Sequence, residues 1–150
     1  MECVDTIDSV LRLKGRQSWS IAPSATVYEA IERMSEKGVG ALLVMSEGSL
    51  LGIISERDYA RKVILKDRSS KQTLVSEIMT RPVITVTTRQ SVEECMRLMT
   101  ENRIRHLPVV DAKQVVAGVI SIGDLVNWII TAHEETIHHL EHYIAGAYPG

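Results

Sequence analysis

Apolar positions recur along this chain with a helical rhythm, and they do so twice. Val27, Ala30, Ile31 and Met34 follow the i, i+3, i+4, i+7 spacing that puts four side chains on one helix face. Val92, Cys95, Met96 and Met99 repeat it 65 residues later. Each helix opens on a hydroxyl residue with a glutamate three positions on, Thr26 with Glu29 and Ser91 with Glu94. That is the capping-box spacing, in which side chains satisfy the free amides of the first turn. Two short aliphatic runs follow each helix, GALLVM and LLGIIS in the first copy, HLPVV and VVAGVIS in the second. The turn-like SEGS and DAKQ separate them. A second helix then carries Tyr59, Ala60, Val63 and Ile64 inward in one copy and Leu125, Val126, Ile129 and Ile130 in the other. The predicted order is strand, helix, strand, strand, helix, run through twice.

The lead-ins superpose as well, VLRLKGRQSWSI (10–21) over VSEIMTRPVITV (75–86), and one extra residue near Ala117 shifts the offset to 66. The expected organisation is a first repeat over 10–65, a hydrophilic linker over 66–74, a second repeat over 75–130 and a C-terminal helix over 131–146. Ile130, Ile137, Leu140 and Ile144 stripe that last helix, and Gly146 and Pro149 end it. The fold class is mixed α/β (α+β), two β-α-β-β-α units related by pseudo-twofold symmetry. A sheet of two or three strands leaves a face wet in a lone unit, so the copies are expected to pack together.

Composition narrows the classes. A chain of 150 residues with 45% hydrophobic content can bury a continuous core, and a formal charge of −2 exerts no general pull on nucleic acid or an anionic membrane. Arg57, Arg61, Lys62, Lys66, Arg68 and Lys71 form a local basic cluster. Glu56, Asp58 and Asp67 interrupt it and no aromatic set accompanies it, so it reads as a solvated helix face and linker. No apolar run reaches membrane-spanning length, and the amino terminus is acidic where a signal peptide is basic. Cys3 and Cys95 lack metal or disulfide spacing. The expectation is a soluble cytoplasmic protein, or one of an organellar matrix if a presequence has been removed.

The ordered motifs SEIMTRPVITV, IRHLPVVD and GVISIGDL in the second copy, with GALLVM and GIISERDYAR in the first, resemble the cystathionine β-synthase (CBS) domain family. The resemblance is to a tandem pair and covers residues 10–130. It implies two clefts between the repeats that take adenosine-containing ligands: AMP first, then ATP or ADP, NAD(H) and S-adenosylmethionine. It also implies a disc-like homodimer. The sequence shows no effector domain, so a regulatory role would act on a separate, unidentified partner protein.

GIISERD (52–58) returns as GVISIGD (118–124), and its Ser-x-x-Asp supports two compatible roles. Ser55 with Asp58, and Ser121 with Asp124, have capping-box spacing with aspartate in place of glutamate. A carboxylate so placed also suits a ribose diol, with phosphate near the helix start, and the resemblance implies this contact. It further implies that Ile84, Thr85 and Val86, with Ile104, Arg105, His106, Leu107 and Pro108, border ligand in the second copy. The matching first-copy positions are Trp19, Ser20, Ile21, Val39, Gly40, Ala41, Leu42 and Leu43. Arg57 and Arg105 are phosphate candidates, one expected in each cleft. His106 is either a pH-sensitive contact or a strand-edge polar residue.

Catalytic motifs are missing: there is no phosphate loop and no Gly-x-Ser-x-Gly elbow. His138 and His142, one helical turn apart, are weak metal candidates that lack a third ligand at defined distance. The leading expectation is a ligand-sensing module that performs no covalent chemistry. An interaction scaffold with empty clefts comes second, and a metal- or nucleotide-dependent enzyme last.

Overall fold

The computed structural model describes residues 5–132. Thr6 Oγ1 accepts from Ser9 N and caps helix α1 (Ile7–Lys14), which ends at Gly15 with φ +102°. Strand β1 (Ser20–Ile21) runs parallel to β2 (Ala41–Ser46), which pairs antiparallel with β3 (Ser49–Ser55). Glu47 and Gly48 make the β2–β3 turn with φ of +50° and +80°, the two-residue geometry that matches strand twist. In the second half β4 (His106–Val110) and β5 (Val116–Ser121) form the matching hairpin. Its lead strand shrinks to one parallel bridge, with Val86 N donating to Pro108 O and Val110 N to Val86 O.

The first helix of each repeat forms as its pattern predicts. Helix α2 (Val27–Lys37) buries Val27, Ala30 and Met34, and α5 (Val92–Asn102) buries Val92, Cys95 and Met99. Ile31 and Met96 are only partly buried against the same cores. Ser91 and Glu94 complete both halves of their box, whereas Thr26 Oγ1 accepts from Glu29 N with no return bond from the Glu29 carboxylate among the described residues.

The second helices correct the expected stripe. Helix α3 (Glu56–Lys62) presents Asp58, Tyr59 and Lys62 inward, followed by Val63. Ala60 points outward, and so does Ile64, which is 56% exposed. In α6 (Ile122–Ala132) Leu125 is buried and Trp128 and Ile129 pack on the core, while Val126 and Ile130 face out. The cause is the cap. Each aspartate bonds back to the preceding strand end, which rotates the inward face by one residue from the apolar pattern. Helix α3 also stops early, and a 3₁₀ turn over Ile64–Lys66 ends at Asp67 in the left-handed region.

The lead-ins cross between the repeats. Ile7, Val10 and Leu11 of α1 belong to the second repeat's core with Val92, Cys95, Leu107, Ile120 and Leu125. Val75 and Ile78 of α4 (Val75–Ile78) belong to the first repeat's core with Val27, Met34, Leu42 and Ile54. Backbone bonds repeat the symmetry: Ile7 N to Gln90 O and Val92 N to Asp5 O on one side, Val27 N to Thr73 O and Val75 N to Ala25 O on the other. The hydrophilic segment before α4 is tied down, since Tyr28 N donates to Ser70 O, Thr73 is buried, and Arg68 pairs with Glu77. Of the expected C-terminal helix only residues 131 and 132 lie within the described residues. His138 and His142 lie outside them.

Candidate functional site: two clefts between the repeats

Strands β3 and β5 each turn directly into a helix whose first turn carries the aspartate. Ser55 N donates to Asp58 Oδ2 (2.9 Å) and Asp58 N to Ser55 Oγ (3.2 Å). Ser121 N donates to Asp124 Oδ2 (2.8 Å) and Asp124 N to Ser121 Oγ (3.1 Å). Both aspartates are therefore capping-box residues. Each also lines a cleft between the repeats, one of about 700 Å³ at Asp58 and one of about 400 Å³ at Asp124. Both volumes fall within the roughly 300–1,000 Å³ typical of small-molecule sites.

Each cleft combines the aspartate of one repeat with the lead-in of the other. The Asp58 cleft is closed by Thr80, Pro82, Val83 and Ile84 and by residues 103–106. The Asp124 cleft is closed by Gln17, Ser18 and Trp19 and by residues 37–43. This exchange follows from the crossed lead-ins.

Protein groups already hold both carboxylates. Asp58 is 8% exposed; its Oδ1 accepts from Thr80 Oγ1 (3.0 Å) and Lys62 Nζ (3.1 Å), and its Oδ2 also accepts from Ser55 Oγ. Asp124 Oδ2 receives Lys14 Nζ at 2.5 Å, and the same ammonium reaches Val119 O. Lys14 enters from the last turn of α1. Lys37 lies 4.3 Å above the Trp19 ring, a cation–π contact at the opposite wall. His106, the first residue of β4, borders both clefts together with Gly40 and Ile53. Burial first, then the Lys14 charge, holds its pKa below the ordinary value against the pull of Asp124.

The structure redistributes several expected site residues. Ser55, Arg57, Ile84, Ile104 and Arg105 line the Asp58 cleft; Trp19, Val39, Ala41, Leu42, Leu43 and Ser121 line the Asp124 cleft. Ile21, Val86 and Leu107 do not line either: they are core side chains, because alternation along a strand sends them to the helix-covered face. Ser20, Thr85 and Pro108 also fall outside both linings. Arg57 and Arg105 were expected in separate clefts and share the Asp58 cleft, because the start of α3 in one repeat faces the α5–β4 segment of the other, where Arg57 reaches Arg103 O at 3.2 Å. Half of the supposed solvated basic cluster, Arg57, Arg61 and Lys62, forms a wall of that cleft. Lys14, Lys37, Thr80 and Arg103 were missed. Lys14 could have been noticed as a charge aligned with Met79 of the other lead-in.

The family model described as the CBS domain matches residues 15–65 and again 75–131. The chain belongs to the CBS domain family. It is 45% identical over 152 residues to the mitochondrial CBS domain-containing protein CBSX3 of Arabidopsis thaliana, covering 95% of this chain and 73% of that one. Among solved structures it resembles a CBS-domain protein from Burkholderia ambifaria MC40-6, with 50% identity and a TM-score of 0.81 over 84% of this chain and 94% of that one. The CBS domain pair of MJ0100, solved with 5′-methylthioadenosine and S-adenosyl-L-methionine, shares the fold at 24% identity, with a TM-score of 0.75 over 85% and 97% of the two chains. Two CBS repeats with exchanged lead-ins thus build the clefts just described. No helix among the described residues is long and apolar enough to cross a membrane.

Proposed function

We propose that this CBS pair is a regulatory binding module: its clefts take adenosine-containing ligands, and occupancy alters its affinity for a separate partner protein. The observation that carries this is the placement of Asp58 and Asp124, each at the strand-to-helix corner of one repeat and each lining a cleft closed by the other repeat. A carboxylate accepts two hydrogen bonds from a vicinal diol. In both clefts a lysine holds the aspartate, Lys62 in one and Lys14 in the other. A ribose enters by displacing that ammonium, which is then free to meet phosphate. The adenosine ligands of the MJ0100 pair support the choice of ligand class. The role is binding rather than covalent chemistry. A cytoplasmic or organellar-matrix location fits it, and the Arabidopsis relative is mitochondrial by name.

The module acts as a homodimer in this reading. Ile64 and Ile130 occupy matching positions of the two repeats and are 56% and 53% exposed, with Leu65 and Val126 beside them. Such paired apolar surface favours a second copy.

Thermal unfolding with AMP, ADP, ATP, NAD(H) and S-adenosylmethionine tests the proposal. A ligand at about 100 times its Kd adds about 2.7 kcal/mol of stability. Indifference to all of them at millimolar concentration would leave the clefts without a function and favour the scaffold.

A further inference from the structure

The duplication supplies an internal comparison, because every residue around one cleft has a counterpart around the other. Arg57 of the Asp58 cleft corresponds to Gly123, Arg103 to Gly38 and Arg105 to Gly40. Arg61 corresponds to Asn127 and Lys62 to Trp128, so all five cations of that cleft are neutral in the sister repeat. Gly38 and Gly40 line the Asp124 cleft, whose own cations, Lys14 and Lys37, are bound to Asp124 and stacked on Trp19.

Two features show that the arginines are placed rather than scattered. Arg57 and Arg61 stand one turn apart on α3, and Arg103 and Arg105 face them from the segment joining α5 to β4. The Arg57 guanidinium reaches across to Arg103 O at 3.2 Å. Arg103 also occupies the left-handed region, φ +54°, where Gly38 takes φ +66° at the same helix end. A side chain is disfavoured in that conformation, and glycine is the usual occupant. The second repeat therefore carries an arginine against local preference. Among the described residues Arg61, Arg103 and Arg105 have no carboxylate partner, and only Glu56 and Asp58 oppose the five cations in the lining.

Guanidinium forks on facing walls bind several phosphate oxygens at once. We propose that the clefts have diverged in ligand class: the Asp58 cleft receives nucleoside di- and triphosphates, and the Asp124 cleft receives adenosine ligands without a polyphosphate chain. This rests on the adenosine reading of both clefts.

Calorimetric titration with adenosine, AMP, ADP, ATP and inorganic tripolyphosphate tests it, with Trp19 fluorescence, read in a Trp128→Phe background, reporting the Asp124 cleft. Wild type is expected to bind ATP at least about tenfold tighter than AMP, as one or more charge-assisted bonds require. Tripolyphosphate should displace ATP without altering the Trp19 response to adenosine. In the Arg103→Gly, Arg105→Gly double variant, which installs the sister residues, the ATP-to-AMP ratio should fall to about twofold or less. Its melting temperature should stay close to that of wild type, since glycine relieves the left-handed backbone at position 103 and costs a comparable amount at position 105, whose φ is not positive. Equal affinity for ATP and AMP in wild type, or an unchanged ratio in the double variant, overturns the divergence and leaves adenosine binding standing. Tripolyphosphate binding that is lost in the double variant, with no adenosine compound bound, overturns the adenosine reading and keeps the polyanion site.

Discussion

Asp58→Ala and Asp124→Ala remove the same letter of the same motif, yet the two losses differ. At position 58 the variant keeps the Ser55 cap but loses the return half of the capping box, the bond from Ser55 N to Oδ2, worth about 1 kcal/mol. It also strands the Thr80 hydroxyl, which donates to Oδ1 at 3.0 Å in a buried setting, for about a further 1–2 kcal/mol. With the partly solvated Lys62 ion pair adding at most about 1 kcal/mol, the expected total is about 2–4 kcal/mol, or a fall in melting temperature of about 4–16 °C for a chain of this size. At position 124 the matching return bond from Ser121 N is lost together with the Lys14 ion pair, whose side chains are 30% and 24% exposed. Such a partly solvated pair is worth at most about 1 kcal/mol, so the total is about 1–2 kcal/mol. Urea denaturation of the two variants without ligand measures the difference directly. Asp58→Asn keeps an oxygen to accept from Ser55 N and should recover about half of the loss. If Asp124→Ala destabilises as much as Asp58→Ala, the Thr80 bond contributes nothing and the account of Asp58 is wrong.

Gly52→Ala places a methyl group 2.8 Å from Met79 Sδ and 3.0 Å from Thr80 O, and should cost about 1–3 kcal/mol in urea denaturation; a neutral result would refute the close packing of β3 on the crossing segment. Burial lowers the pKa of His106 in the fold, so below its ordinary pKa of 6.5 the unfolded chain binds a proton that the native state resists. Stability present above pH 6.5 is lost as the pH falls toward the lower folded pKa. The urea midpoint should accordingly drop more between pH 7.5 and 5.5 in wild type than in His106→Ala, and equal drops would exclude the effect. Burial pushes the Cys95 thiol up to about 11, so in a Cys3→Ser background it should resist a disulfide reagent at pH 8 until the protein unfolds; prompt labelling of the native state would contradict its core position.

The duplicated order of elements was legible because two signals coincided: helical periodicity at 27–34 and 92–99, and β-branched hairpins after each. The inward faces of α3 and α6 were less so. Periodicity counts apolar letters, and at these helices a polar residue, the capping aspartate, takes an inward place and shifts the face by one. The clefts were half legible. A motif tells which residues lie at a corner but not which repeat closes over it, so Arg57 and Arg105 were assigned to different sites. Only the packing of one repeat against the other, a long-range contact with no local signature, brings them together. Lys14 stood out only as a charge where the other lead-in has Met79, and its role was hidden because its partner Asp124 lies 110 residues away.

That crossing also sets a timetable for synthesis. Helix α1 leaves the ribosome ahead of both repeats' strands, but the surfaces that bury Ile7, Val10 and Leu11 include Leu107, Ile120 and Leu125. At about 5–20 residues per second, the first helix waits on the order of ten seconds for its seat. Through that interval the nascent chain can complete only one of its two cores, the one that α4 closes.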